Sequence, residues 1–163
     1  MRVLGIDPGT AIVGWAVVEG DRQDPAARGY GAIRTAAGLR PGERLHRIYR
    51  EVQALIRRFE PDRAAVEQIY FGHNTTTALA VGQARGVVLL ALAEAGLEAL
   101  ELSPAAVKEA VCGYGRAEKV QIQHMVTRLL QLPEPPRPDD VADALAVAVA
   151  GYARFRYEEA QRR

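Results

Sequence analysis

The chain has 163 residues, of which 48% are hydrophobic and 25% are charged, and its formal net charge is +1. This length and composition are typical of one globular domain with a substantial core. The near-neutral charge excludes a global basic field that would attract nucleic acid or a membrane, although a local patch remains open. No signal peptide or apolar run of transmembrane length is evident. The single Cys112 excludes an internal disulfide, so we expect a cytoplasmic protein. Because no apolar run is long enough to cross a membrane, we expect no membrane partner.

The basic residues are unevenly divided, because nineteen of the 21 are Arg and only Lys108 and Lys119 are Lys. Arg and Lys serve equally well as solubilising surface residues, so a drift toward Arg is tolerated there. A site that needs a compact, mobile ammonium group would resist that drift. Both lysines are therefore candidate functional residues, with chance survival as the alternative.

The first part of the chain predicts a strand hairpin followed by a helix. Residues 2–7 alternate in polarity and precede the turn residues Pro8-Gly9-Thr10, and further strands are predicted over 11–19 and 27–35. Apolar residues then recur at helical spacing over 41–59.

The middle of the chain alternates between strands and a central helix. A strand over 63–70 precedes a helix over 77–96 that is apolar nearly all round, and a fifth strand follows over 97–102. Gly82 and Gly86 lie four residues apart on one face of this helix, where they would let another backbone approach closely.

Three further helices are predicted toward the C-terminus, over 104–111, 119–132 and 138–152. Ser103 followed by Pro104 is a helix-start signal. We expect residues 1–152 to form one α/β domain, a mixed five-stranded sheet flanked by helices, and the charged residues 153–163 to form a frayed tail.

Four acidic residues stand beside predicted apolar elements. Asp7 ends the first strand, Glu67 lies near the end of the fourth, and Asp140 and Asp143 share one face of the last helix. Singly, each is explained by a solvated edge or by the helix dipole. Together, four carboxylates without a Cys or His set suit Mg²⁺ or Mn²⁺, and two such ions about 4 Å apart would support phosphodiester hydrolysis.

The segments LGIDPGTAIVGWAVV, AAVEQIYFGHNTTTALAVGQARGVV, GRAEKVQIQHMV and DDVADALAVA resemble, in order, the RuvC family of Holliday-junction resolvases. The resemblance implies a ribonuclease-H-like fold, a homodimer and a Mg²⁺-dependent endonuclease that acts on four-way DNA junctions beside a branch-migration helicase complex. It also implies that Asp7, Glu67, Asp140 and Asp143 are the catalytic, metal-binding acids. Asp139 leaves the register of the third acid open by one residue.

The resemblance extends to residues that would contact DNA. Lys119 and Lys108 match functional lysines of the family, and we expect Lys119 to be catalytic and Lys108 to hold the DNA backbone. Tyr70 matches an aromatic position at the junction centre, where a ring would stack on an unpaired base, and Phe71 is the competing candidate. Arg85 is predicted to contact DNA or the partner subunit, and Arg116 is a further predicted DNA contact.

Three alternatives remain open from the sequence. The segment GIDPGT also resembles the phosphate loop of the sugar-kinase, actin and chaperone ATPases, although 163 residues cannot build their two lobes. A related nuclease acting on RNA or RNA–DNA hybrids and a non-catalytic junction-binding module are the others.

Overall fold

The computed structural model describes residues 1–21, 25–68 and 75–162, and the side chains of residues 75–77 are not described. Its five strands are β1 (Arg2–Asp7), β2 (Ile12–Glu19), β3 (Ala26–Arg34), β4 (Arg63–Glu67) and β5 (Ala99–Leu102). Its helices are α1 (Pro41–Phe59), α2 (Thr75–Glu94), α3 (Pro104–Cys112), α4 (Lys119–Leu129) and α5 (Asp139–Gln161). The predicted α/β class and the mixed five-stranded sheet are confirmed.

The sheet has the order β3-β2-β1-β4-β5. The first three strands form an antiparallel meander, whereas β4 and β5 run parallel to β1. Side chains alternate between the two faces of each strand, so each face has its own core. One core joins Leu4 and Ile6 to α1 and α2, and the other joins Val3 and Ala65 to the remaining three helices.

Helix α5 is the central element of the second face and lies unusually close to the sheet. A Cβ atom added to Gly5 would overlap Ala148, and one added to Gly151 would lie 2.6 Å from the Ala65 side chain. A Cβ added to Gly14 would overlap the carbonyl oxygen of Asp140. Glycines on both surfaces therefore let the first turn of α5 rest directly on β2.

The capping of α3 confirms the predicted helix start. The Ser103 side chain accepts a hydrogen bond of 3.1 Å from the backbone N–H of Ala106, and Pro104 occupies the first helical position. Gly113 ends the helix in the left-handed conformation, with φ +83°. Local signals thus fix both ends of this short helix.

The expected frayed tail is wrong, because α5 continues past Tyr152 to Gln161. Phe155 packs against the core of the second face, and the guanidinium group of Arg63 lies 5.9 Å from its ring centroid. Two ion pairs lie within the helix, Arg154 with Glu158 at 2.9 Å and Arg156 with Glu159 at 3.2 Å. Each such surface pair contributes only a few tenths of a kcal/mol, so the packing of Phe155 is the main support.

The two glycines of α2 do not pack closely within the chain. No described atom lies within 4 Å of a Cβ built on Gly82 or Gly86. The predicted close approach is therefore absent from the described part of this single chain. Within the same described residues, no helix is long and apolar enough to span a membrane.

We expect Gly14→Ala to lower the free energy of unfolding by about 1–3 kcal/mol, because the new methyl group must push α5 away from the sheet. Urea denaturation followed by circular dichroism measures this. Gly38→Ala is the matched control, since a Cβ at exposed Gly38 meets no described atom within 4 Å. Equal stability of the two variants would contradict the close contact between α5 and β2.

Candidate active site

Two of the acidic side chains come from neighbouring parallel strands. Asp7 ends β1 and Glu67 ends β4, and the pair Ile6 and Val66 that precedes them is in register. Both acids lie on the α5 side of the sheet, since Gly5 and Ala65, two residues earlier, contact that helix. Burial and, after it, the neighbouring Glu67 carboxylate raise the pKa of Asp7, which favours a proton held between the two carboxyl groups. The two acids therefore share a proton in the absence of metal.

The other two acids come from the first turn of α5. Gly14 is the register partner of Asp7 in the antiparallel β1–β2 pair, and its missing side chain makes room for the backbone of Asp140. The close contact described above therefore places the start of α5 beside the end of β1. Asp143 lies one helical turn further along the same face.

The four acids line one cavity of about 350 Å³. Lys108 of α3 and Lys119 of α4 line it as well, and the Lys119 Nζ atom is 3.6 Å from a carboxylate oxygen of Asp143. The remaining wall consists of apolar groups and a proline: Pro104, Val107, Ile122 and Ala146. The site therefore combines clustered negative charge, two ammonium groups and a partly dry wall.

Burial and mutual repulsion disfavour the ionised forms of these acids. Burial, followed by the charges of Glu67, Asp143 and Asp140, raises the pKa of Asp7 from its ordinary value of 3.8 to about 8. Burial also raises the pKa of Glu67, with the Asp143 charge as the next cause. Without a cation, the cluster therefore retains at least one proton at neutral pH.

Lys119 offsets part of this repulsion. The pKa of Asp143 is raised chiefly by burial, while the neighbouring Lys119 ammonium acts in the opposite direction. Reciprocally, the Asp143 charge raises the pKa of Lys119, which is therefore cationic at neutral pH. The Lys119 side chain is 73% exposed, so it can reach an incoming anion while remaining next to the acids.

The donor set fits a hard divalent cation. Carboxylate oxygens are the ligands that Mg²⁺ and Mn²⁺ prefer, and a bound cation would relieve the repulsion that raises the pKa of Asp7. In the described residues, however, no three acidic, His or Cys side chains are gathered closely enough to form a metal cage by themselves. This arrangement suits Mg²⁺, which commonly retains water ligands and adds substrate phosphate oxygens to a few carboxylates.

The two aspartates at the start of α5 occupy different positions relative to the acidic cavity. Asp140 lines the cavity with the other acids, whereas Asp139 is exposed and is absent from its wall. Both aspartates line a second, adjoining cavity. The geometry therefore groups Asp140, rather than Asp139, with Asp7, Glu67 and Asp143.

Of the remaining predicted residues, Arg85 and Arg116 are described by the structure and lie outside the wall of the acidic cavity. Arg116 is exposed on the loop between α3 and α4. Arg85 lies on α2 and forms an ion pair with Glu101 of β5. Tyr70 and its competitor Phe71 lie outside the described residues.

The sequence did not lead us to predict the residues of the apolar wall of the cavity. Ile122 follows Lys119 by one helical turn and is buried, so the amphipathic pattern of this helix was the available signal. Gln123 and Arg137, which line the adjoining cavity, were also missed. Their placement depends on how α4 meets the start of α5, which no local pattern indicates.

A five-stranded mixed sheet with an acidic cluster at the ends of two parallel strands and at the start of a crossing helix defines a ribonuclease-H-like nuclease. Comparison with known proteins is more specific. The family model described as "Crossover junction endodeoxyribonuclease RuvC" matches residues 3–151. The chain therefore belongs to the RuvC family of crossover junction endodeoxyribonucleases, and membership implies dependence on a divalent metal ion.

Individual relatives agree with the family model. The "Crossover junction endodeoxyribonuclease RuvC" of Moorella thermoacetica is 55% identical over 161 residues, which cover 98% of this chain and 96% of the relative. The protein of the same name from Chloroflexus aggregans is 56% identical over 149 residues, 91% of each chain. The solved structure "T. thermophilus RuvC in complex with Holliday junction substrate" has a TM-score of 0.89 and 37% identity, covering 95% of this chain and 96% of that chain.

The raised pKa of Asp7 predicts how the stability of the metal-free protein depends on pH. Between the ordinary pKa of 3.8 and the folded value of about 8, the folded state binds more protons than the unfolded state. Folding stability should therefore fall as the pH rises through this window. We expect Asp7→Asn to have a free energy of unfolding on the order of 1–3 kcal/mol higher than that of the unsubstituted protein at pH 8. The gain is smaller than a fully buried carboxylate would give, because Asp7 is partly exposed.

Urea denaturation in EDTA at pH 5 and pH 8 measures this difference. Glu51→Gln, which changes an exposed acid on α1, is the control and should follow the unsubstituted protein at both values. If the free energy of unfolding changed equally with pH in the unsubstituted protein and in Asp7→Asn, the claim that Asp7 holds a proton in the metal-free protein would be contradicted.

Proposed function

We propose that this protein is a structure-selective endonuclease that resolves four-way (Holliday) DNA junctions in recombination and repair. The observation that carries the proposal is the cavity in which four carboxylates and two lysines meet, in a chain that belongs to the RuvC family. Each nick would leave a 5′-phosphate and a 3′-hydroxyl, so paired nicks would be ligatable. Preference for the junction would come from its shape, and affinity from backbone contacts.

The four acids are the proposed metal ligands. Asp7, Glu67, Asp140 and Asp143 would hold two Mg²⁺ ions, with Mn²⁺ as a substitute. When bound, the ions supply a water of lowered pKa and stabilise charge on the leaving 3′ oxygen. The proton shared by Asp7 and Glu67 must leave when these carboxylates become ligands, so metal binding should release a proton.

The lysines and arginines are the proposed DNA contacts. Lys119 is the catalytic lysine, because its exposed ammonium group next to Asp143 can move onto the scissile phosphate and stabilise its developing charge. Lys108, on the same wall, would hold the DNA backbone. Arg116 would reach DNA from its exposed loop, whereas Arg85 would first have to leave Glu101 or act through that pair. Tyr70 would stack on a base at the junction centre.

We expect paired, ligatable nicks on a mobile synthetic four-way junction with Mg²⁺ and none with EDTA. Linear duplex and RNA–DNA hybrid are the comparison substrates, and denaturing electrophoresis measures the products. Asp7→Asn should reduce the cleavage rate at least about 10³-fold while junction binding persists, because it removes a metal ligand and leaves the lysines intact. Cleavage of the hybrid in preference to the junction would favour the alternative of an RNA-directed nuclease.

We also propose a homodimer, formed through the outer face of α2. Leu79 and Leu90 are 67% and 53% exposed, and they share one helical face with Gly82 and Gly86. The two glycines have no described atom within 4 Å of an added Cβ, so a second backbone can approach there. A second copy offers the same apolar stripe, and a twofold axis would place α2 against α2. Two subunits are also what paired nicks on opposite strands require.

We expect Leu90→Arg to shift the protein toward monomers, with a weakening of the dimer by about 2 kcal/mol or more, because a charge would be placed within the apolar stripe. Analytical ultracentrifugation over a range of concentrations measures the change. Leu129→Arg, at an exposed leucine on α4, is the matched control. A dimer that resists Leu90→Arg, or a monomeric parent protein, would contradict this interface.

Further parts of the proposal are supported by the resemblance alone. They are action in the cytoplasm and association with a branch-migration helicase complex.

A further inference from the structure

A second cavity adjoins the acidic one and has no role in the function proposed above. Its volume is about 430 Å³, and it is lined by Gln123, Arg137, Pro138, Asp139 and Asp140. Asp140 lines both cavities, so they meet at one of the proposed metal ligands. A DNA strand that extends from the acidic cavity past Asp140 would enter the second cavity.

Arg137 is held in place by its backbone and remains free at its side chain. The preceding Pro136 is buried, and its carbonyl oxygen accepts a hydrogen bond of 2.9 Å from the Gln123 side chain. On the other side, the backbone N–H of Val141 donates to the carbonyl of Pro138 at 2.9 Å. Arg137 itself is exposed, and no carboxylate in the described residues lies within 4 Å of its guanidinium group.

The charges around this cavity create a problem for a DNA strand. Each strand carries one negative charge per nucleotide, so a scissile phosphate held at the acidic cavity brings a second phosphate close behind it. On this side the second phosphate meets Asp139 and Asp140. Metal ions bound in the acidic cavity would attract the scissile group, but the exposed carboxylate of Asp139 would still repel its neighbour. A cation is needed in the wall of the second cavity, and Arg137 is the cation there.

We infer that Arg137 binds the phosphate that neighbours the scissile phosphodiester, in the cavity between Gln123 and the start of α5. This inference rests on the proposed junction-resolving function and adds a DNA contact that positions the cleaved strand. The planar guanidinium fork can bind two phosphate oxygens at once, which fixes the direction of the strand as well as its affinity. Gln123 acts indirectly, by holding the segment that carries Arg137.

The first test compares Arg137→Ala and Arg137→Lys with Arg57→Ala. Arg57 is an exposed arginine in the last turn of α1, a helix that lies on the opposite face of the sheet from the acidic cavity. We expect Arg137→Ala to weaken junction binding about tenfold and to raise KM with little change in kcat. The slope of log affinity against log salt should become shallower by about 0.9, the value for one phosphate contact. Arg137→Lys should restore the salt slope but only part of the affinity, and Arg57→Ala should change neither.

The second test identifies the phosphate. Junctions are prepared with a single neutral methylphosphonate in place of the phosphate on the 3′ or the 5′ side of the cut. At one of these positions the replacement should weaken binding by the unsubstituted protein about tenfold and have no further effect on Arg137→Ala, since both changes remove the same contact. The inference would be overturned if, at both positions, the methylphosphonate weakened binding by Arg137→Ala as much as binding by the unsubstituted protein. It would also be overturned if Arg137→Ala left the slope of log affinity against log salt unchanged.

The two proposals fail in distinguishable ways. If the unsubstituted protein does not cut the unmodified junction with Mg²⁺, the proposed function fails, whereas fluorescence anisotropy still measures the contact of Arg137 with the junction in EDTA. If the unsubstituted protein cuts the junction and Arg137→Ala binds it with unchanged salt dependence, only the inference about Arg137 is wrong.

Discussion

The close contact between α5 and the sheet is the constraint on which the rest of the molecule depends. Gly5 and Gly14 on the sheet and Gly151 on the helix remove the side chains that would otherwise separate the two layers. Between Val141 and Tyr152, every residue of α5 except Asp143 is buried. The same contact that excludes water from the core therefore places Asp140 and Asp143 next to the ends of β1 and β4. In this protein, the packing of the core and the geometry of the acidic site are one arrangement.

Such an arrangement carries an electrostatic cost that the chain offsets only in part. Burial and, after it, repulsion among the four acids at the edge of an apolar layer raise the pKa of Asp7 to about 8. Lys119 neutralises Asp143 from the open side, and the Asp7–Glu67 pair retains a proton. A bound divalent cation would offset the repulsion among the acids more completely than Lys119 and the retained proton do. The cavity therefore favours binding of a divalent cation over occupation by water alone.

Much of the fold could be predicted because its signals are local. The 3.6-residue period set the bounds of α1 at 41–59, and Ser103 with Pro104 marked the start of α3. The sequence placed Asp7 and Glu67 near strand ends, whereas their proximity depends on the parallel pairing of β1 with β4. The extension of α5 to Gln161 was missed, because its support comes from Phe155 against a distant part of the core. The salt bridge of Arg85 with Glu101 and the contact of Gly14 with Asp140 were equally invisible, since each joins elements far apart in the chain.

The order of the elements along the chain has a consequence for biosynthesis. Asp7 lies in the first strand, whereas Asp140 and Asp143 lie in the last helix, and the core on the α5 face of the sheet is incomplete until that helix is made. A ribosome must therefore translate almost the whole chain before the acids can meet. During synthesis, the nascent polypeptide holds its carboxylates apart, and the metal-binding centre forms only as folding finishes.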